Sequence, residues 1–430
     1  MPPRCIDTAR APLNGAFAAP PSKSATHRAV IAAAVARGVS RIERPLDAED
    51  TRRTVAGLRA LGVRVEATDG SWTVEGAAGT IRGGGSLDLG ESGTSARLLL
   101  ALAATAELPS VLDGAPRLRE RPMAELITSL RALGARIEPD SATGLPVRTG
   151  GGRVRGGAVS VPGARSSQFT SALLLSASMF DRGVTLAVTE PRVSQSYARM
   201  TVETLERFGA VVAHDGAGMF EVRPAELRAT ALTVEGDYSS ASYAMAAAAI
   251  IGGRVCVRGL RSGSLQPDAR FPRDLASLGC SVVLDGDQVT VSGTGPIPSF
   301  SWDLADAPDL APTAAILALF AEGRCTISGL AHLRLKESDR PAVLADNLAR
   351  LGAAASMDGG TLTIDPPARG ALRGALVSSA GDHRIAMAFA IAGLAIPGVA
   401  IDRGDVVAKS YPGFWDDLAG LVRTGSSGPG

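Results

Sequence analysis

The residues of this chain that could do chemistry fall in short polar runs, each at what reads as the start of a helix. One series is Ser22-Lys23-Ser24-Ala25-Thr26-His27-Arg28, Glu91-Ser92-Gly93-Thr94-Ser95-Ala96-Arg97, Ser166-Ser167-Gln168, Asp309 and Asp382-His383-Arg384. A second series is Arg117-Leu118-Arg119-Glu120-Arg121-Pro122, Ser194-Gln195-Ser196-Tyr197, Lys336-Glu337-Ser338-Asp339-Arg340-Pro341 and Lys409-Ser410-Tyr411-Pro412. A helix start presents unpaired N–H groups and the positive end of the helix dipole, so cations and hydroxyls placed there suit phosphate and carboxylate groups. Pro122 and Pro341 fit the first helical position. Capping by Ser, Thr and Asp explains any one cluster taken alone.

Capping does not explain where the lysines fall. The 430 residues carry 44 basic and 43 acidic side chains, and only Lys23, Lys336 and Lys409 among the basic ones are lysine. All three sit in these clusters. Where either cation serves, the chain uses arginine, so each lysine marks a place that needs a compact ammonium. Together the clusters predict an anion cradle built from several helix starts.

A net charge of +1 argues against binding a nucleic-acid backbone, which needs a basic excess on one face. Hydrophobic content of 45% with 20% charged residues fits a folded chain with ample core. The longest apolar run, Ala244 to Ile251, is too short for a membrane span. The first ten residues lack a signal-peptide layout, and Cys5, Cys256, Cys280 and Cys325 are scattered, which predicts a cytoplasmic protein with reduced thiols. There is no GxxxxGK[ST], HExxH or EF-hand spacing, so no metal and no cofactor are expected. Gly83-Gly84-Gly85 and Gly150-Gly151-Gly152 are read as turns. His27, His214 and His332 read as surface or packing histidines, while His383, between Asp382 and Arg384, is evenly poised between packing and function.

The elements that must position the clusters repeat. Glycines suited to ending a helix recur at Gly62, Gly134, Gly209, Gly279 and Gly352, in steps of 70 to 75 residues. Ala- and Leu-rich helices are predicted to begin near Ser24, Gly93, Ser167, Ser239, Ala311 and His383, in steps of 69 to 74. Six copies of about 72 residues account for almost the whole chain. That period is long for a solenoid, and two pseudo-threefold α/β domains fit better.

In combination and order, S-K-S-x-x-x-R, S-G-T, R-x-R-E-R-P, S-S-Q-F, K-E-S-D-R, D-H-R and A-K-S-Y-P resemble the enolpyruvyl transferases, in the branch whose acceptor is shikimate 3-phosphate. The resemblance runs from Lys23 to Lys409. It implies two domains, each of three βαβαββ units, with the active site in the cleft between them. The terminal domain would be 1–20 plus 236–430 and the inserted domain 21–235, with hinges near 14–22 and 233–238. It implies transfer of the enolpyruvyl group of phosphoenolpyruvate to the 5-hydroxyl of shikimate 3-phosphate by addition and elimination, as a step towards aromatic amino acids, in a monomer that needs no cofactor. Residue by residue it assigns the donor to Lys23, Gly93, Arg121, Gln168, Arg340, Arg384 and Lys409. The acceptor falls to Lys23, Ser24, Arg28, Ser166, Ser167, Gln168, Ser194, Tyr197, Asp309, His332 and Lys336. The catalytic groups would be Lys23, Asp309 as the base for the attacking hydroxyl, and Glu337 at the methylene carbon, beside Lys336.

Some positions depart from the family pattern. Glu91 replaces an Asn, Leu98 a Pro, Gln195-Ser196 a Lys-Pro pair and His332 an Asn. Those on the acceptor side leave open a paralogue that uses a different alcohol. A sister enzyme acting on a UDP-sugar would carry a cysteine before Arg121-Pro122, and no cysteine lies between Cys5 and Cys256. An inactive anion-binding homologue would be expected to have lost Asp309, Glu337 or a lysine.

Overall fold

Alanine-rich helices form the centre of a computed structural model that describes residues 2–368 and 370–426. Two compact units divide the chain: one of residues up to Pro20 together with those from Glu235 onward, the other Pro21–Val234. In the second unit the central helices are Lys23–Val35, Gly93–Ala104 and Ser167–Ser176; in the first they are Tyr238–Ile251, Ala311–Leu319 and His383–Gly393. Each lies within one residue of its expected start. The side chains of Ser22, Ser92, Ser166, Asp237 and Asp382 accept backbone N–H bonds at five of these starts. The sixth helix is entered through a 3₁₀ turn, Pro308–Leu310. Most residues of these helices are buried around the full circumference, which explains why their composition is apolar rather than amphipathic.

The complete repeat reads strand Ser86–Asp88, helix Gly93–Ala104, strand Ser110–Asp113, helix Ala124–Ala132 and the strands Ile137–Pro139 and Val147–Thr149. The first two strands pair in parallel and the last two add as an antiparallel hairpin, giving the spatial order first, second, fourth, third. The same order recurs in the copies that begin with strands Gly157–Pro162 and Ser301–Asp303.

Two copies borrow their first strand. Arg37–Glu43, which follows the Lys23 helix, pairs in parallel with Ala231–Thr233 from the far end of the same unit. Gly253–Arg258, which follows the Tyr238 helix, pairs in parallel with Leu13–Ala18. The sixth copy departs from the expected βαβαββ unit. Its strands Leu376–Val377 and Ala400–Ile401 are parallel, and Arg4–Cys5 adds antiparallel where a hairpin would stand. Among the described residues this makes five four-stranded sheets and one three-stranded sheet.

The repeated glycines end their helices with φ between +88° and +106° at Gly62, Gly134, Gly209, Gly279 and Gly352, a region that costs an L side chain about 1–2 kcal/mol. The two triple-glycine runs are close crossings rather than turns. A Cβ on Gly83 would lie 2.5 Å from the Leu108 carbonyl, and one on Gly151 2.7 Å from that of Glu107. Pro341 is the second residue of helix Arg340–Leu351, but Pro122 lies ahead of helix Ala124–Ala132, because the chain first makes a separate turn at Pro116–Arg119. Helix Phe414–Ser426 is the last described element; Ser427–Gly430 lie outside the described residues. No described helix is long and apolar enough to cross a membrane.

Candidate active site

In the Pro21–Val234 unit, the starts of three packed helices gather most of the residues singled out from sequence. Lys23, the first residue of its helix, donates to Asp50 at 3.0 Å, and both side chains are largely buried. Asp50 was not anticipated; it lies in the acidic first turn of helix Glu49–Ala60. Behind this pair runs a buried chain of hydroxyls: His27 Nδ1 to Thr54 at 2.7 Å, Thr54 to Ser95 at 2.8 Å, and Ser95 to the Asp50 carbonyl at 3.1 Å. Burial, with Lys23 adding to it, drives the His27 pKa down to about 3 against the pull of Asp50, so this ring is neutral.

Arg28 is buried, with no carboxylate partner among the described residues. It donates to the hydroxyls of Thr201 and Ser171 at 2.8 and 2.9 Å and to the carbonyls of Ser24 and Tyr197 at 2.9 and 3.1 Å. Burial pushes its pKa down to about 10, with the nearby Tyr197 opposing. A guanidinium with only neutral partners is what an anionic ligand would complete. Ser166 caps the helix that carries Ser167 and Gln168. The Gln168 amide is fixed from both sides, accepting from Arg97 at 2.8 Å and donating to Thr94 at 3.0 Å. Ser194 is buried with φ +56°, a strained conformation just ahead of the helix bearing Tyr197. Gly93 has no room for a side chain, since a Cβ there would lie 2.5–2.6 Å from the Arg121 guanidinium.

In the other unit, one guanidinium holds three carboxylates. Arg340 opens its helix with its side chain 2% exposed. Its Nη1 donates to Asp309 at 2.9 Å, its Nη2 to Glu337 at 2.9 Å and its Nε to Asp382 at 2.7 Å. Burial opposes its charge, but Asp382, Glu337 and Asp309 outweigh it and hold its pKa above the ordinary arginine value. Burial likewise acts against the Asp382 charge, and Arg340 overcomes it, leaving that pKa lowered. Asp382 also caps the His383 helix through the Arg384 N–H at 3.0 Å. Arg384 donates to the second Asp309 oxygen at 2.8 Å. Glu337, which adjoins Lys336 in sequence, is bound by Arg340.

The remaining singled-out residues surround this group. His332 lies on a 3₁₀ turn, Ala331–Leu335, directly before Lys336, and its Nε2 has no hydrogen-bond partner among the described residues. Burial, then Lys336, lowers its pKa to about 4. Lys409 ends the 3₁₀ turn Gly404–Lys409 and is buried. His383, evenly poised on sequence, is fully buried. Sequence reading missed Asp268, a buried carboxyl bonded to the Ser239 hydroxyl. Burial first, then the charge of Asp309, pushes its pKa up to about 7. Lying alone in an ordinary turn, it left no sequence signal.

Because Asp268 holds its proton more tightly folded than unfolded, it contributes stability that is full below about pH 4 and is lost as pH rises through about 7. Asp268→Asn should therefore gain stability relative to the parent between those pH values, by no more than about 4 kcal/mol. Urea unfolding at pH 5 and pH 8 measures this; the same pH dependence in both proteins would contradict it.

Known proteins resemble this chain over nearly its whole length. The family model for EPSP synthase (3-phosphoshikimate 1-carboxyvinyltransferase) matches residues 8–418. A protein of Methanoculleus marisnigri named 3-phosphoshikimate 1-carboxyvinyltransferase is 45% identical over 412 residues, covering 95% of this chain and 97% of its own. One of that name from Aeropyrum pernix is 41% identical, covering 95% and 93%. The solved EPSP synthase of Acinetobacter baumannii superposes with a TM-score of 0.81 at 28% identity, covering 98% of each chain. The enolpyruvyl transferase NikO of Streptomyces tendae shares the fold, with a TM-score of 0.75 at 20% identity over 98% and 97% of the chains. With its helix-start clusters and its six-fold repeat, this chain belongs to the EPSP synthase family, the 5-enolpyruvylshikimate-3-phosphate synthases.

Proposed function

We propose that this enzyme transfers the enolpyruvyl group of phosphoenolpyruvate to the 5-hydroxyl of shikimate 3-phosphate, releasing phosphate, in aromatic amino acid biosynthesis. The observation that carries the mechanism is Arg340, whose two terminal nitrogens hold Asp309 and Glu337 at 2.9 Å each. In the free enzyme the two carboxylates that addition and elimination require are thus gathered at one rigid fork. In the addition, the acceptor oxygen bonds to C2 of the donor and its proton passes to Asp309, while Glu337 supplies a proton to the methylene carbon. In the elimination, Glu337 takes a proton back from that carbon as the C2–O bond to phosphate breaks. The proton held by Asp309 leaves with the phosphate, so both carboxyls return to their starting states.

This reading gives the donor's carboxylate and phosphate to Arg121, Arg340, Arg384 and Lys409, with Gly93 and Gln168 shaping the seat. Lys23 reaches both substrates with a compact ammonium. The phosphate and hydroxyls of the acceptor go to Ser24, Arg28, Ser166, Ser167, Ser194, Tyr197, His332 and Lys336. The neutral partners of Arg28 support an anion there, and the unpartnered Nε2 of His332 supports a polar contact. We further propose that the enzyme works as a cytoplasmic monomer without a metal. A paralogue using another alcohol is favoured only by Gln195 and His332 standing where the family pattern differs. Phosphate release on mixing both substrates tests the reading; release with another alcohol, but none with shikimate 3-phosphate, would overturn it.

Lys23→Arg should fold as the parent does, yet lose roughly 100-fold or more in turnover, because a proton-transferring ammonium is replaced by a group that stays charged. Steady-state rates check this, and near-parent turnover would refute the role of the ammonium. Gly93→Ala should force the Arg121 guanidinium aside and raise the KM for phosphoenolpyruvate about tenfold or more, an amount worth about 1.4 kcal/mol. An unchanged KM would remove Arg121 from the donor seat.

A further inference from the structure

We propose that Asp309 occupies, in the free enzyme, the seat that the anionic groups of phosphoenolpyruvate take, so that donor binding itself releases the base. The inference rests on the reading above, in which Arg340 and Arg384 receive the donor. Both Asp309 oxygens are engaged, Oδ1 by Arg340 Nη1 at 2.9 Å and Oδ2 by Arg384 Nη2 at 2.8 Å. A carboxylate gripped by two guanidinium groups keeps its charge and accepts a proton poorly.

The grip is built to be exchanged on one side and kept on the other. Arg340 stays anchored through Nε to Asp382 and through Nη2 to Glu337, and Asp382 is itself fixed by Ser338 at 3.2 Å and by capping its helix. The Nη1 edge facing Asp309 can therefore change partner without the guanidinium moving. A phosphate or carboxylate arriving there presents anionic oxygens that can accept the same N–H bonds as Asp309 does. Once displaced, Asp309 has lost two cationic partners and lies beside a bound anion, and both changes raise its affinity for a proton. The base then becomes competent only when the donor is seated. In that state the acceptor hydroxyl gives its proton to Asp309 as its oxygen bonds to the donor. Arg28, with neutral partners only, needs no such exchange to take its anion.

Competition makes an unusual demand: removing the charge of the catalytic base should improve donor binding. Phosphoenolpyruvate alone, which cannot turn over without acceptor, would be titrated by calorimetry into the parent, Asp309→Asn and Arg384→Gln. We expect Asp309→Asn to bind on the order of tenfold more tightly, a factor worth 1.4 kcal/mol, and Arg384→Gln to bind more weakly. Asp309→Ser repeats the first arm should the Asn variant fold poorly. Unchanged or weaker binding by both Asp309 variants, with Arg384→Gln weakened, would overturn the competition and leave the donor site standing. Unchanged binding by Arg384→Gln would overturn the donor site itself, and the proposal with it.

Discussion

Burying a guanidinium is costly unless its N–H groups find partners, and the terminal unit is arranged around that constraint. Arg340, 2% exposed, draws in Asp382, Glu337 and Asp309. Each carboxylate comes from a different local structure: the 3₁₀ turn before the Ala311 helix, the segment leading into Arg340's own helix, and the cap of the His383 helix. Taking charges out of water costs several kcal/mol per ion unless partners and hydrogen bonds compensate. The guanidinium supplies that compensation in a fixed plane, so in the free enzyme the separation of Asp309 from Glu337 is set by one side chain. Breaking up the group would leave like charges crowded together.

The fold places such groups by repetition. Each copy contributes one central helix, and five of the six starts are capped by a Ser or Asp side chain. Strand borrowing then fixes where the chain passes between the units. Leu13–Ala18 completes the sheet of the Tyr238 copy and Ala231–Thr233 that of the Lys23 copy. Within the terminal unit, Asp237 donates its N–H to the Pro20 carbonyl at 2.8 Å. The N-terminal Arg4–Cys5 is used as well, as the third strand of the shortened sixth copy.

Much of this was legible because it rests on local rules. Gly62, Gly134, Gly209, Gly279 and Gly352 were readable as helix ends because a left-handed residue there all but requires glycine. The helix starts at Gly93, Ser167, Ala311 and His383 were readable from small polar residues ahead of alanine runs. The lysines stood out against an arginine-rich background. What stayed hidden depends on distant contacts. Asp50 meets Lys23 across 27 residues, and Asp382 meets Arg340 across 42. Glu337 adjoins Lys336 in sequence, yet the bend leading into the Arg340 helix brings its carboxylate to Arg340. Pro122 misled because a further short turn intervenes before its helix, and the sixth copy because its hairpin is replaced by a strand from the other end of the chain.

The dependence of the terminal unit on one planar guanidinium is tested most directly by the stability of Arg340→Lys at two pH values. A lysine keeps the charge but cannot bond three carboxylates along separate directions. The unfolding free energy at pH 8 should fall roughly 3–5 kcal/mol below the parent's. The deficit should shrink at pH 5, where Asp309, Glu337 and Asp382, having lost their fork, protonate more readily. A deficit under about 1 kcal/mol that does not change with pH would contradict the role given to Arg340.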